Sequence, residues 1–476
     1  MRAQLLAALL FSSTALAATP APPDLSHPPK LPPPPAWTAP APGSATTANG
    51  ARVVVLAEHE LPIVCVLVSV AAGSASDPAA HPGLAAATAM MLQDGGAGGK
   101  SAPQLAQAIA ALGGELRIRV DADEVKLQLI VLARNLTPAL QLLGDILARP
   151  RFDAAEWPKA QARRLDEIRR HQDEPREVAD EVFARILYGD HPYGHPSLGT
   201  PESVAALTLD DVRRFWSEHY GPKTVAFVLA GDAALDTTAA TVGKTLGDWK
   251  SSALPPAVPP PAPPSTLRVV LVDRPGAPQS ELRVGYVGRD RHTPDFASIL
   301  LLQTVLGGSF TSRLNQNLRE KHGYTYGARA QFDLRRAPGP FTASAAVRTD
   351  VTAESVKETV AELTRMRTPL TKDEVIKGRS LVSSAIVEAF GEHGQTANFL
   401  AELTVHDLPL DSWSRVPAEL EKLDVPSLGQ AAARLFHPEQ LVILVVGDRK
   451  AIDAPLRKLP FVKSIEYRDV QGRVVK

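Results

Sequence analysis

The sequence predicts an α+β protein made of two homologous domains joined by a Pro-rich linker. Three observations lead there. The chain has 476 residues, more than one hydrophobic core ordinarily serves. Two segments concentrate the prolines: "ATPAPPDLSHPPKLPPPPAWTAPAPGS" at 18–44 and "LPPAVPPPAPPS" at 254–265. Similar stretches then recur on either side of the second segment. Arg52-Val53-Val54-Val55-Leu56 matches Arg268-Val269-Val270-Leu271-Val272, and Val228-Leu229-Ala230-Gly231-Asp232 matches Leu444-Val445-Val446-Gly447-Asp448. Both pairs are 216 positions apart, which indicates an internal duplication.

Taken in order, the chain opens with Arg2, an apolar stretch Leu5 to Phe11 and a small-residue cleavage signal at Ala15-Leu16-Ala17. Residues 1–17 therefore read as a secretory signal peptide. Proline density makes 18–45 an extended spacer, 46–252 the first domain, 253–266 the linker and 267–476 the second domain. In the first copy the opening strand is followed by a second at 63–71, paralleled by 281–287 in the second copy. A helix follows at 83–93, or 297–306 in the second copy. Another spans 101–112, with Ser101 as N-cap and Gly113-Gly114 as its stop. Residues 116–132 contain "VKLQLIVL", which suits a strand, and helices are expected at 136–148, 154–171 and 209–220. A last strand, 225–230, ends at Gly231-Asp232. Strands and helices alternate without regular βαβ spacing, hence α+β.

Composition excludes several classes of function. Apolar residues make up 44% and charged residues 22%, a globular balance. A net charge of −1 provides no global basic field for nucleic acid or an anionic membrane. No later run of 18 or more apolar residues predicts a membrane span. The protein is expected to be exported, and periplasmic if the host is Gram-negative. Cys65, the one cysteine, lies in the apolar run 63–70 and reads as a buried, inert thiol.

The segment "HPGLAAATAMMLQDGGAGGKS", 81–101, ends like a phosphate-binding loop. That loop needs glycine five positions before Gly99, where Asp94 stands, and a strand before it, where the pattern is helical. A flexible helix–helix connection fits better. The beginning of the segment resembles the first active-site region of the insulinase/pitrilysin (inverzincin) family of zinc metallopeptidases. There a Gly-Leu-Ala opening leads into H-x-x-E-H on a helix, two histidines binding zinc and the glutamate serving as base. With Gly83-Leu84-Ala85 as that opening, the resemblance puts the three catalytic positions at Ala86, Ala89 and Met90. None can bind zinc or accept a proton. The family's third ligand, a later glutamate, corresponds to Glu167 in "RRLDEIRRHQDEP". A single carboxylate does not hold zinc, so Glu167 reads as a solvated or salt-bridged helix residue and no metal is expected on this chain.

The resemblance runs from about residue 48 to 465. Residues 188–232 are similar throughout to the end of the family's first domain. Pro192, Gly194 and Pro196 keep His191 and His195 off a common helix face, so both read as members of a packed loop. "LGGSFTSRLNQNLREKHGYTYGARA", 306–330, resembles the second-domain motif in which an arginine and a tyrosine face the zinc site across a chamber. Here these are Arg319 and Tyr326. Their other readings are a surface arginine on a helix and a core-edge aromatic. Gly307-Gly308 corresponds to a Gly-rich turn linked to substrate handling in non-catalytic members.

The resemblance is thus to the non-catalytic partner subunit of heterodimeric bacterial peptidases and of mitochondrial processing peptidase. It implies two insulinase-type α+β domains forming half of a closed chamber for peptides or unfolded polypeptide. A homologous partner would carry H-x-x-E-H and the zinc. Arg319 would position the substrate, and Tyr326 would steady the tetrahedral intermediate in trans. The rival expectations are a catalytically dead scaffold or peptide-binding subunit, and an enzyme using other chemistry, for which no nucleophile–base arrangement is visible.

Overall fold

The computed structural model describes residues 37–262 and 266–475. The expected signal peptide, and the expected spacer as far as residue 36, lie outside the described residues. The first copy runs β1 (Gly43–Thr46), β2 (Arg52–Ala57), β3 (Ile63–Val70), α1 (Leu84–Asp94), α2 (Ala102–Ala111), β4 (Arg117–Val120) and β5 (Val125–Leu132). It continues through α3 (Leu136–Ala148), α4 (Trp157–Asp173), α5 (Pro175–Tyr188), α6 (Pro201–Ala206), α7 (Leu209–His219), β6 (Val225–Gly231) and α8 (Leu235–Leu246). The second copy runs β7 (Arg268–Asp273), β8 (Gln279–Val287), α9 (Phe296–Gln303), β9 (Thr325–Phe332), β10 (Pro340–Arg348), α10 (Thr352–Arg365) and α11 (Lys372–Phe390). Then come α12 (His393–Val405), α13 (Ser412–Glu421), α14 (Val425–Leu435), β11 (Val442–Gly447), α15 (Arg449–Arg457) and β12 (Ile465–Arg468).

Each copy builds a six-stranded sheet, in the orders β1-β2-β6-β3-β5-β4 and β12-β7-β11-β8-β10-β9. The two opening strands occupy equivalent places. Arg52 of β2 pairs in parallel with Ala226 of β6, and Arg268 of β7 pairs in parallel with Val442 of β11. The α+β class and the doubling are as the sequence predicts.

Several boundaries differ for identifiable reasons. Residues 43–45, assigned to the spacer, form β1 together with Thr46 on the edge of the first sheet, because "GSAT" has no proline and its N–H groups can pair. The strand expected over 116–132 is a hairpin. Val120 pairs with Val125, and Lys126 bridges Asp121 (3.2 Å) and Glu124 (2.9 Å) across the acidic turn. The helix expected over 297–306 stops at Gln303 and widens into a π-type turn over 304–308. The connection at 95–101 is ordered rather than flexible. Gly98 N–H donates to Arg149 O (3.0 Å), Arg151 N–H to Gly96 O (2.9 Å), and Ala97 is fully buried. Ser101 caps α2 as expected, in a capping box with Gln104.

The largest departure is α5, a helix not anticipated between 171 and 209. It leaves its own sheet and packs on β8 and β11 of the second one. Val178, Val182, Phe183 and Ile186 meet Val270, Val272, Val442, Leu444 and Val446 there. At the corresponding point of the second copy, α12 packs on β3 and β6 of the first sheet. Each half thus lends a helix to the other. The four large side chains of α5 alone contribute roughly 6–12 kcal/mol by burial, comparable to the net stability of a whole domain. Cys65 lies in β3, fully buried. Burial pushes its thiol up to about 11; a hydrogen bond from Gln128 opposes this in part, and the nearby Glu392 carboxylate adds a smaller push upward. Its burial is as expected.

The linker is fastened to the seam between the halves over its described part. Val258 packs by Tyr188, Tyr193 and Ala337, and Pro259 O and Pro256 O accept from His191 (2.7 Å) and Arg336 (3.4 Å). His406, at the end of α12, is 7% exposed on the same seam. Burial, followed by Arg291, Arg336, His292 and Lys126, lowers its pKa to about 3.

Two predictions follow from the exchanged helices and the seam. Residues 46–252 expressed alone should expose the β3/β6 face and bind a hydrophobic dye, whereas co-expression with 253–476 should give a folded complex. The unfolded chain protonates His406 near 6.5 and the folded chain near 3, so its contribution is complete above 6.5 and is lost as pH falls through that window. His406→Gln should flatten the fall of melting temperature between those values.

Candidate functional site

In the first half, Gly83 opens α1 in the left-handed region (φ 91°), where a Cβ would meet Leu198 O at 2.6 Å. The buried carboxylate of Asp77 accepts from the N–H groups of Gly83 (2.7 Å) and Ala85 (2.6 Å), capping the helix. Ala86 and Ala89 are buried on α1, and Met90 is half-buried. α4 packs against α1. Between them lies Arg164, with only 9% of its side chain exposed. Its guanidinium donates to Glu167 Oε2 (2.8 Å) and to Ala86 O (3.2 Å). Arg163 holds Asp94 at 2.5 Å one turn away. Glu167 is therefore salt-bridged, one of the two alternatives expected for it.

This arrangement does not fit zinc. Ala86 and Ala89 have no donor atoms, Met90 has only a thioether, and the one carboxylate is engaged by a fixed cation. Among the described residues no group of three or more His, Cys, Asp or Glu side chains is placed to hold a metal. Arg164 was missed from sequence. Its signal is positional, three residues before Glu167 and so on the same helix face.

In the second half, α9 widens into the turn at 304–308 and a second π-type segment spans 315–321. Gly307 is required there, because a Cβ would lie 2.3 Å from the Ala330 nitrogen of β9. Asn315, nearly buried, ties the turn to β9. Its amide donates to Ser309 O and Ala328 O (both 3.0 Å), and its Oδ1 accepts from Ala328 N–H (2.9 Å). Arg319 projects from this segment with its guanidinium 4.1 Å above the Phe310 ring. Its nearest carboxylate is that of Glu320, at 3.7 Å.

Tyr326 is 92% exposed, which removes the core-edge reading of this residue. The register explains its position. Thr325 pairs with Val347 and Ala328 with Ala345, so Tyr326 and Gly327 face the single residue Ala346 in a β-bulge. The Thr325 hydroxyl closes the gap. It donates to Ala346 O (2.6 Å), lies 2.9 Å from Gly327 O, and accepts from Gly327 N–H (3.1 Å). Thr325 was also missed, although the Tyr-Gly step after a threonine is the bulge's visible trace. Arg319, Phe310, Gly307, Gly308 and Tyr326 line one cleft of about 880 Å³.

The remaining expected positions are structural. His191 accepts from Tyr193 N–H through Nδ1 (3.1 Å) and bonds Pro259 O through Nε2. His195, in the same loop, has its pKa lowered by burial. Tyr193 donates to Asp123 (2.7 Å) and accepts from Ala337 N–H (3.1 Å), joining the halves. The packed-loop reading holds.

Two family models match the chain: Insulinase (Peptidase family M16) over residues 52–201, and Peptidase M16 inactive domain over residues 206–382. An uncharacterized zinc protease of Bacillus subtilis, YmxG, is 25% identical over 323 residues, covering 67% of this chain and 78% of its own length. Mycobacterial and streptomycete zinc protease relatives are matched over about half of their length. The peptidase M16 inactive domain from Pseudomonas fluorescens superposes with a TM-score of 0.80 at 25% identity, covering 86% of this chain and 98% of that one. The periplasmic protease PqqL from Escherichia coli shares the fold, with a TM-score of 0.71 at 18% identity over 87% of this chain and 46% of its own. The chain belongs to the insulinase family, peptidase family M16, and is of a non-catalytic type. No helix among the described residues is long and apolar enough to cross a membrane.

Thr325→Val should cost about 1–2 kcal/mol, because it removes the hydroxyl that satisfies the bulge. Chemical denaturation would measure this as a lowered midpoint with an unchanged slope.

Proposed function

We propose that this chain is a non-catalytic subunit of an exported zinc metallopeptidase complex. It forms half of a closed peptide-binding chamber and supplies Arg319 and Tyr326 in trans to the zinc site of a homologous partner with an intact H-x-x-E-H motif. The observation that carries this reading is Tyr326 itself. A phenol 92% exposed, set out from the sheet by a stapled bulge and sharing a cleft with Arg319, is built to meet something outside the chain. The Arg319 guanidinium, 4.1 Å over the Phe310 ring, has N–H groups that can hold substrate carbonyls. The Tyr326 hydroxyl can donate to the oxyanion that develops at the scissile carbonyl. Zinc belongs to the partner in this reading. The signal-like N-terminus and the periplasmic neighbour PqqL support export.

The test is cleavage of a quenched fluorescent peptide by this chain, by the intact-motif partner and by their mixture, with zinc present. Strong activity in the mixture alone is expected. Tyr326→Phe should lower kcat about 100-fold with KM little changed, and Arg319→Ala should raise KM as well. A mixture no more active than the partner would overturn the trans role in favour of a scaffold subunit.

A further inference from the structure

We infer that the cleft beside Arg319 selects acidic peptides. The inference rests on the peptide-chamber reading and adds the substrate class. Four arginines reach the cleft: Arg319 from the turn, Arg329 from β9, Arg283 from β8 and Arg176 from the first turn of α5. The one carboxylate in its lining, Glu281, is committed to Arg283 at 2.9 Å, and Asp180 holds the same guanidinium at 2.6 Å. Among the described residues no carboxylate lies within ion-pair distance of Arg176 or Arg329, and both are exposed. The whole chain carries a net charge of −1, so this convergence is local and not the echo of a basic protein.

The floor suits an extended chain. Arg329, Ser344 and Arg283 form one row across β9, β10 and β8, and the next row presents Gly327 and Ala346 beside Glu281, which is paired with Arg283. Small residues let a peptide backbone approach, while arginines at the sides reach its side chains. Like charges gathered around a concave surface repel one another and focus a positive field into the cleft. Carboxylate side chains on a bound peptide would relieve that repulsion by pairing with Arg319, Arg176 and Arg329, while Arg283 stays committed to Glu281 and Asp180.

The test uses the full chain and three fluorescein-labelled decapeptides of alternating Glu/Ala, Lys/Ala and Ser/Ala, followed by fluorescence anisotropy. The Glu/Ala peptide should bind at least about tenfold more tightly than Ser/Ala, with the gap narrowing as salt rises. The double variant Arg176→Glu, Arg329→Glu should abolish the preference for Glu/Ala over Ser/Ala. The milder pair Arg176→Gln, Arg329→Gln should reduce it, and circular dichroism would show both variants folded. Equal binding of the three peptides would overturn charge selection and leave the peptide chamber standing. Binding of none would overturn both. Displacement by pyrophosphate as effective as by unlabelled Glu/Ala peptide would make this a small-anion site and overturn the peptide assignment.

Discussion

Everything in this molecule depends on the reciprocal exchange of α5 and α12. A mixed sheet with apolar residues on both faces must have both faces covered. The helices α1, α3, α7 and α8 surround the core on one face of the first sheet, and the second copy supplies α12 for the other. The same holds in reverse for α5. The ends of the exchanged helices are secured by a pair of equivalent residues. Arg268 donates to Ile186 O in the last turn of α5 (2.6 Å), and Arg52 donates to Thr404 O in the last turn of α12 (3.3 Å). A guanidinium there satisfies orphan carbonyls and complements the negative end of the helix dipole. The arginine that opens each repeated strand is thus the cap for the visiting helix. The two halves form a single folding unit although a Pro-rich segment divides them in sequence.

This rigid frame lets the two sites diverge. In the first half, small side chains on α1 make room for Arg164, which links α1 to α4 through Ala86 O and Glu167. That place holds a salt bridge and a carbonyl contact, a structural joint between α1 and α4. In the second half, the equivalent helix is cut short by a wide turn, and the next strand is bulged. Both are local irregularities that cost ladder hydrogen bonds. Asn315 and Thr325 replace those bonds, so the irregularity is held in one geometry. The result is a cleft with an exposed tyrosine, a stacked arginine and unneutralised positive charge.

Much of this was legible in the sequence because it rests on local pattern. The repeated Arg-Val-Val strands and the Ser101 cap depend on neighbours a few residues away. Arg319 and Tyr326 could be singled out by their motif, and Cys65 by its apolar run. What escaped depends on distant partners. α5 has charged residues at Glu177, Asp180 and Glu181 beside its apolar ones, so its apolar face was inconspicuous without the sheet that receives it. Arg164 looked like one of many helix arginines until α1 came within 3.2 Å. Thr325 has meaning only in the register between β9 and β10.

The sequence by itself determined the duplication, the α+β class, the loss of ligand atoms at Ala86 and Ala89 and the presence of Arg319 and Tyr326. These follow from residue identity and short-range periodicity. The tertiary structure decided which sheet each helix covers, what cation sits beside Glu167, and that Tyr326 points outward into a cleft lined with arginine. Those outcomes are set by burial and by hydrogen bonds between segments far apart in the chain, and no local pattern encodes which distant surface will supply the missing partner.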